Sequence, residues 1–188
     1  MAGVRRSNAG ALGSVAICAL LAVGPVEAQR GPDHQSARSG VWGGLGFAYG
    51  SLGCEDCGER TSGYSGMGII GGTLSDVVRL GGGGSSFFRE DADDESTLTI
   101  GTGMAIVQVF PARGDFYLQG GAGFASGEVE VGDVTYDDEG AAFQVGVGYT
   151  WNLGERGKVS IVPFANWTFT SIDFEPEFFQ IGAGFFWN

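Results

Sequence analysis

Residues 140–152 read GAAFQVGVGYTWN, and this stretch decides the fold. Its odd positions, from Ala141 to Trp151, carry Ala, Phe, Val, Val, Tyr and Trp. Its even positions carry Gly, Ala, Gln, Thr and Asn. Because successive side chains of an extended chain point to opposite faces, a period of two predicts a β-strand. The stretch therefore predicts a strand with one bulky apolar face and one face of small or polar residues.

The same alternation recurs along the chain. Residues 179–188 set Phe179, Ile181, Ala183, Phe185 and Trp187 against Gln180, Gly182, Gly184, Phe186 and Asn188. Comparable patterns begin at Val41 and cover 116–126 and 159–170, and less regular ones cover 63–73, 77–88 and 97–110. We leave the register of the last three open, since a bulge within 97–110 would change which face is apolar. Eight strands of roughly 9–11 residues predict an all-β fold, an eight-stranded antiparallel up-and-down transmembrane β-barrel.

The composition agrees with an all-β chain. Glycine accounts for 36 of 188 residues, 12% of the residues are aromatic and only 17% are charged. Disordered chains are highly charged and poor in aromatic residues, so this composition argues against disorder. A helical bundle is also disfavoured, because glycine costs about 1 kcal/mol relative to alanine at a helix position.

The N-terminal segment has the features of an export signal. Arg5 and Arg6 precede an apolar run over 9–23, and Val26-Glu27-Ala28 resembles a cleavage site. A run of about 15 apolar residues is shorter than the roughly 20 that a membrane-spanning helix needs. We therefore predict a signal peptide over 1–28, a flexible periplasmic leader over 29–39 and a barrel over 40–188.

The exported part of the chain is acidic. Residues 1–28 contain two arginines and one glutamate, which leaves 8 basic and 21 acidic residues and a net charge of −13. Nucleic-acid binding requires a basic surface, so no nucleic-acid partner is expected.

The nature of the two strand faces predicts where the barrel lies. An eight-stranded barrel has a narrow interior, which suits small side chains better than rings of Trp, Phe and Tyr. We therefore expect the small residues to face inward and the aromatic residues to face outer-membrane lipid. The alternative is a soluble lipocalin-like barrel that binds an apolar ligand in the cell envelope.

The connections between strands alternate in length and charge. Those at 51–62, 89–96, 127–139 and 171–178 are long and share one end of the barrel, the acidic rim, whereas those at 74–76, 111–115 and 153–158 share the other end, the near rim. The long connections hold 17 of the 21 remaining acids: Glu55, Asp56, Glu59, Glu90, Asp91, Asp93, Asp94, Glu95, Glu128, Glu130, Asp133, Asp137, Asp138, Glu139, Asp173, Glu175 and Glu177. Outer-membrane barrels have short periplasmic turns and long outer loops, so the acidic rim is predicted to be extracellular.

Aromatic residues collect near both rims, as interfacial girdles require. The girdle predicted at the acidic rim consists of Tyr49, Tyr64, Phe88, Phe124, Phe143, Trp167 and Phe179. The girdle predicted at the near rim consists of Trp42, Phe110, Phe116, Tyr149, Trp151, Phe185 and Trp187.

Residues 40–188 resemble the small eight-stranded outer-membrane barrels, the OmpA-like β-barrel domains. The resemblance rests on the signal peptide, the regular series of alternating strands and the closing strand Phe179–Trp187. The resemblance implies a location in the bacterial outer membrane. Since the sequence ends with the barrel, no peptidoglycan-binding domain is expected after it. Such barrels usually end in an aromatic residue that the outer-membrane insertion machinery reads, and here Asn188 follows Trp187.

Cys54 and Cys57 lie in the first long connection. In an oxidising compartment a structural disulfide between them is the favoured interpretation. A redox-active pair is disfavoured because Glu55, Asp56 and Glu59 would raise the pKa of the thiols. A metal site would need two further ligands. Both alternatives stay open.

The acidic segments offer weak Ca²⁺ candidates, since calcium prefers several carboxylates. These candidates are Asp91, Asp93, Asp94, Glu95, Asp137, Asp138 and Glu139. The competing interpretation is a solvated acidic surface without bound metal.

No catalytic or cofactor-binding constellation is evident. The single histidine, His34, falls in the predicted leader, so general acid–base catalysis lacks its usual residue. We expect a monomeric, non-enzymatic barrel with a structural or interaction role or a narrow porin-like passage for small solutes. An envelope enzyme on a barrel scaffold is the least favoured alternative.

Overall fold

The computed structural model describes residues 40–53, 60–91, 96–131, 134–153, 158–172 and 176–188. Nearly all of these residues are in strands, which confirms the all-β fold class. The strands are β1 Val41–Gly53, β2 Thr61–Ser75, β3 Val78–Asp91, β4 Ser96–Val109, β5 Phe116–Val131, β6 Val134–Tyr149, β7 Trp151–Leu153, β8 Val159–Thr170 and β9 Glu177–Trp187. Across the described part of the chain, no helix is long and apolar enough to cross a membrane.

The strands form one closed antiparallel barrel. Each of β1 to β5 pairs with the strand that follows it, and β9 pairs with β1 to close the ring. Both β6 and β7 pair with β8, so they are consecutive parts of one barrel strand that is interrupted at Thr150. The barrel therefore has eight strands, as the alternation predicts.

The register left open by the sequence is regular in β4. This strand pairs without interruption with β3 and β5 over its whole length, so Thr97 and Val109 face the same side. The irregularity lies in β2 instead, between Thr73 and Ser75. It lies next to the Asp76–Val77 turn at the near rim, where β3 begins to pair with β2.

The bulky apolar face points outward, as predicted. Phe143, Val145 and Ile181 are each more than half exposed on the outside of the barrel. Their even-numbered neighbours, such as Gln144 and Gln180, are buried inside. This orientation contradicts a soluble lipocalin-like barrel, in which the apolar face would be enclosed.

The prediction that only small side chains face inward is wrong. Seven aromatic residues are buried inside the barrel: Trp42, Phe87, Phe110, Tyr117, Phe164, Phe178 and Phe186. Two of them, Trp42 and Phe110, were expected in the outward girdle at the near rim. Each shares its parity with inward neighbours, Trp42 with Gly44 and Phe110 with Gln108, and this parity overrides their position near a strand end.

Glycines make the space for these inward rings. A β-carbon on Gly44 would collide with the ring of Phe186, and one on Gly148 would collide with Tyr117. A β-carbon on Gly63 would lie 2.6 Å from the ring of Phe87. A narrow barrel can therefore hold large rings because the facing strand positions lack side chains.

The predicted long connection at 127–139 is also wrong. β5 and β6 are each 16 residues long and stay paired as far as Val131 and Val134. The acids of this segment lie on a regular hairpin, because polar residues can continue a strand ladder once it has left the apolar band. Parts of the other three long connections, namely 51–53, 61–62, 89–91, 96 and 177–178, are likewise strand.

Candidate functional site

The interior of the barrel is the candidate site, and at the near rim it is centred on Arg79. This side chain is only 2% exposed. Its guanidinium carbon lies 5.3 Å from the ring centroid of Trp42 and 5.2 Å from that of Phe110. Cation–π attraction of this kind is stronger when the cation is removed from water. One Nη of Arg79 also donates a hydrogen bond to Oδ1 of Asn188, at 2.5 Å.

Further aromatic contacts enlarge this group. Trp42 stacks on Phe186 with 6.2 Å between ring centroids, and Phe110 packs against Tyr117 at 5.5 Å. Together with Arg79, these four residues form what we call the near-rim plug. Every member is almost fully buried, so the near end of the lumen is occupied by side chains.

A chain of side-chain amides runs obliquely through the lumen, from Gln108, the register partner of Arg79, to Thr168, the register partner of Phe178. Nε2 of Gln108 donates to Oε1 of Gln119 at 2.9 Å, and Nε2 of Gln119 donates to Oε1 of Gln144 at 2.7 Å. Nε2 of Gln144 then donates to Oγ1 of Thr168 at 3.1 Å. All four residues are buried, and the side chains bridge strands β4, β5, β6 and β8. Such a network fixes each side chain by its neighbours.

Toward the acidic rim, beside Thr168, the interior is apolar. Phe87, Ile100 and Phe178 form a buried cluster, and their exposed fractions are 0%, 1% and 0%. Nearby, Nε2 of Gln180 donates a hydrogen bond to Oγ of Ser65. Side chains therefore fill the described interior from the near-rim plug to the apolar cluster.

Sequence reasoning found part of this interior. It placed Gln144 and Gln180 on the inward face, and the structure confirms both. It did not single out Arg79. A usable signal was present, because Arg79 has the same parity as Gly81 and Gly83 in a strand whose other face carries Leu80 and Phe88.

The acidic rim carries its described carboxylates on strands. Glu128 lies directly opposite Asp137 in the β5–β6 ladder, and both are exposed on the outer surface. Glu139 is exposed on the same surface, opposite Ser126. Like charges that face each other across strands are destabilising. These carboxylates are therefore expected to lie in water beyond the lipid boundary and not in the hydrocarbon.

An ion pair at the acidic rim joins the segment before β2 to the last strand, β9. Nη1 of Arg60 lies 2.8 Å from Oε1 of Glu177. The Arg60 guanidinium also donates to Oγ of Ser51 at 3.1 Å and to the Ser51 carbonyl oxygen at 3.2 Å. These contacts connect β1, the segment before β2, and β9, where the barrel closes.

The Ca²⁺ candidates are only partly described. Asp137 and Glu139 point outward, whereas Asp138 lies on the opposite face, and its Oδ1 accepts a hydrogen bond from the Glu139 backbone at 2.8 Å. Asp93, Asp94 and Glu95 lie outside the described residues, as does the side chain of Asp91. In the portions of the chain that are described, no three His, Cys, Asp or Glu residues are grouped to hold a metal ion. Calcium binding stays a prediction.

Cys54 and Cys57 also lie outside the described residues, so the predicted disulfide remains a prediction.

The chain was also compared with known proteins. A family model described as outer membrane protein beta-barrel domain matches residues 16–185. Curated protein sequences give no significant match.

Solved structures with the same fold include three that are similar over nearly their whole length. Ail, the attachment invasion locus protein of Yersinia pestis, is 11% identical over 80% of this chain and 99% of its own, with a TM-score of 0.59. Neisserial surface protein A is 14% identical over 81% of this chain and 99% of its own, also with a TM-score of 0.59. Ail in complex with the heparin analogue sucrose octasulfate is 12% identical over 79% and 99%, with a TM-score of 0.58. At these identities the similarity concerns the fold alone.

Proposed function

Because the chain belongs to the outer membrane protein β-barrel domain family and lies in the bacterial outer membrane, we propose that it is a closed barrel with a structural or interaction role and without a porin-like passage. The observation that carries this proposal is the filled interior. Trp42 and Gln108 near the near rim and Phe178 toward the acidic rim are each at most 1% exposed.

The outer wall supports a role as an integral membrane component. Leu45, Phe47, Val145 and Phe185 are exposed on the outside although they are large and apolar. Such a surface is costly in water and favourable in hydrocarbon. Outer-membrane lipid is therefore the proposed partner of the wall, and the outer-membrane insertion machinery the proposed partner during assembly.

The acidic rim is the part of the molecule available for interaction. The β5–β6 hairpin carries Glu128, Asp137 and Glu139 beyond the apolar band. A partner with a basic surface would be attracted to these carboxylates, and a polyanion would be repelled. Sucrose octasulfate is such a polyanion, so the ligand of the Ail complex is not transferred to this chain.

We further propose that the chain is not an enzyme. The described interior presents amides, hydroxyls, aromatic rings and guanidinium groups, and none of these groups is an ordinary general base. The titratable carboxylates that are described lie toward the acidic rim and at the near-rim turns.

Planar-bilayer conductance tests the closed state. Chain refolded in detergent and inserted into a bilayer is expected to leave the bilayer sealed. The double variant Trp42→Ala with Phe178→Ala, which removes a large ring from both the near-rim plug and the apolar cluster, is expected to produce discrete conductance steps. Trp151→Ala is the matched control, because Trp151 is 67% exposed on the outer surface and its loss leaves the lumen unchanged.

Heat-modifiable gel mobility establishes in each case that the inserted protein is folded. Steady conductance by the folded parent chain would overturn the proposal, and it would favour the narrow passage.

A further inference from the structure

The part of β6 at the acidic rim has a sheet partner on one side only. On that side, β6 stays paired with β5 up to its first residue, Val134. On the other side, its pairing with β8 ends at Ala142. One further backbone bond joins the Ser171 nitrogen to the Ala141 oxygen. Among the residues that the structure describes, the segment 134–140 is therefore an open sheet edge.

The direction of the backbone groups shows which residues present this edge. The Ala141 nitrogen donates to Oγ of Ser171 at 2.8 Å, and the Ala141 oxygen accepts from the Ser171 nitrogen at 2.9 Å. Backbone groups of successive residues point to alternate sides of a strand, so those of Thr135 and Asp137 point the same way as those of Ala141. Each of these two residues directs an N–H and a C=O toward the open side. Such an edge is a template on which another strand can pair.

The two faces of the β5–β6 hairpin differ in chemistry. Glu128, Asp137 and Glu139 make its outer face acidic. Tyr136 lies on the opposite face, where it is 64% exposed and is the register partner of Val129. A strand added to β6 would continue both faces, because its side chains also alternate. Lys or Arg would suit the positions beside the carboxylates, and an apolar residue would suit the position beside Tyr136.

We propose that the open edge of β6 binds an extended segment of a partner protein, in which basic and apolar residues alternate, as an added β-strand. This inference specifies the basic partner of the acidic rim, and it therefore rests on the proposed function. A second copy of this chain is a poorer occupant. Pairing of two β6 edges would bring Asp137 and Glu139 of both copies together, and like charges across a ladder are destabilising.

Hydrogen exchange of the chain refolded in phospholipid nanodiscs tests the added strand. The probe is a synthetic peptide of alternating lysine and valine residues. We expect the bound peptide to slow amide exchange at Thr135 and Asp137 at least tenfold, because both N–H groups gain a backbone acceptor. The control is the same peptide with its backbone amides N-methylated, which keeps every side chain and every charge. It is expected to bind at least tenfold more weakly.

A pair of variants at one position separates the backbone from the side chain. Thr135→Pro removes the N–H that faces the open side, and proline is tolerated on an edge strand whose N–H does not serve the sheet. We expect it to weaken binding of the unmethylated peptide at least tenfold. Thr135→Val is the matched control, because it keeps the N–H and should bind as the parent chain does. Heat-modifiable gel mobility establishes that both variants are folded.

The outcomes distinguish the added strand from simple charge attraction. Equal affinity for the methylated and unmethylated peptides would overturn the added strand, and it would leave the basic partner of the proposed function in place. So would parent-like binding by folded Thr135→Pro. Binding of neither peptide would overturn both the added strand and the basic partner, whereas the closed lumen is tested separately by conductance.

Discussion

The ring of Phe186 occupies the space inside the barrel that a β-carbon on Gly44 would need. The two residues are direct register partners on β9 and β1, the strands that close the ring. Tyr117 and Gly148 have the same relationship on β5 and β6. The high glycine content of this chain is therefore partly a packing requirement, in which large inward rings such as those of Phe186 and Tyr117 face positions without a side chain.

Gly44→Ala should destabilise the barrel by roughly 1–3 kcal/mol, the usual cost of forcing an extra methyl group into a packed interior. Gly72→Ala is the matched control, because nothing lies within 4 Å of the β-carbon that it adds. Urea titration of both variants in phospholipid vesicles measures the difference. Equal midpoints for the two variants would show that Phe186 moves freely and that the lumen is loosely packed.

The period-two alternation was sufficient to predict the strands, their number and the outward face. These features depend on local parity, and parity is visible in segments such as 140–152. The filling of the lumen was mispredicted because it depends on which residues meet across strands. That glycine at 44 makes room for phenylalanine at 186 follows only from the register, and the register is set by the closed ring.

The rims were predicted less well for a related reason. The acidic residues in 127–139 led to the prediction of a loop, because loops are usually polar. In the structure the β5–β6 hairpin continues through them. Trp42 and Phe110 were predicted to belong to the girdle because they lie near strand ends. Their parity instead places them inside the barrel. Chemical type alone therefore misleads where a strand leaves the membrane.

The ion pair between Arg60 and Glu177 should contribute little to stability. The two side chains are 46% and 34% exposed, and exposed pairs of this kind are worth about 0.2–1 kcal/mol. A double-mutant cycle with Arg60→Ala and Glu177→Gln measures the coupling free energy. The coupling should decrease between about 0.1 M and 1 M salt, because salt screens exposed charges. A coupling well above this range that is independent of salt would contradict the expectation.

Gln119→Leu should be strongly destabilising although the two side chains are similar in size. It leaves Nε2 of Gln108 and Oε1 of Gln144 buried without their partner, and each unsatisfied group costs about 1–3 kcal/mol. The expected loss is therefore roughly 2–6 kcal/mol in the free energy of unfolding. Ser126→Ala, an exposed position on the same strand, is the control. A loss for Gln119→Leu no larger than that of the control would mean that water replaces the amide chain.

The last prediction concerns the medium around the wall. Val145 and Glu139 both point outward from β6, six positions and about 20 Å apart, with Val145 near the middle of the apolar stretch between Ala141 and Trp151. Val145→Arg should cost about 2–4 kcal/mol in phospholipid vesicles, because it places a charge in hydrocarbon, whereas Glu139→Arg should cost about 0–1 kcal/mol. If water surrounded the wall, Val145→Arg would be an ordinary surface substitution, worth within about 0.5 kcal/mol. A ratio of the two costs near one would therefore contradict the membrane placement of this face, and a large ratio would locate the lipid boundary between Glu139 and Val145.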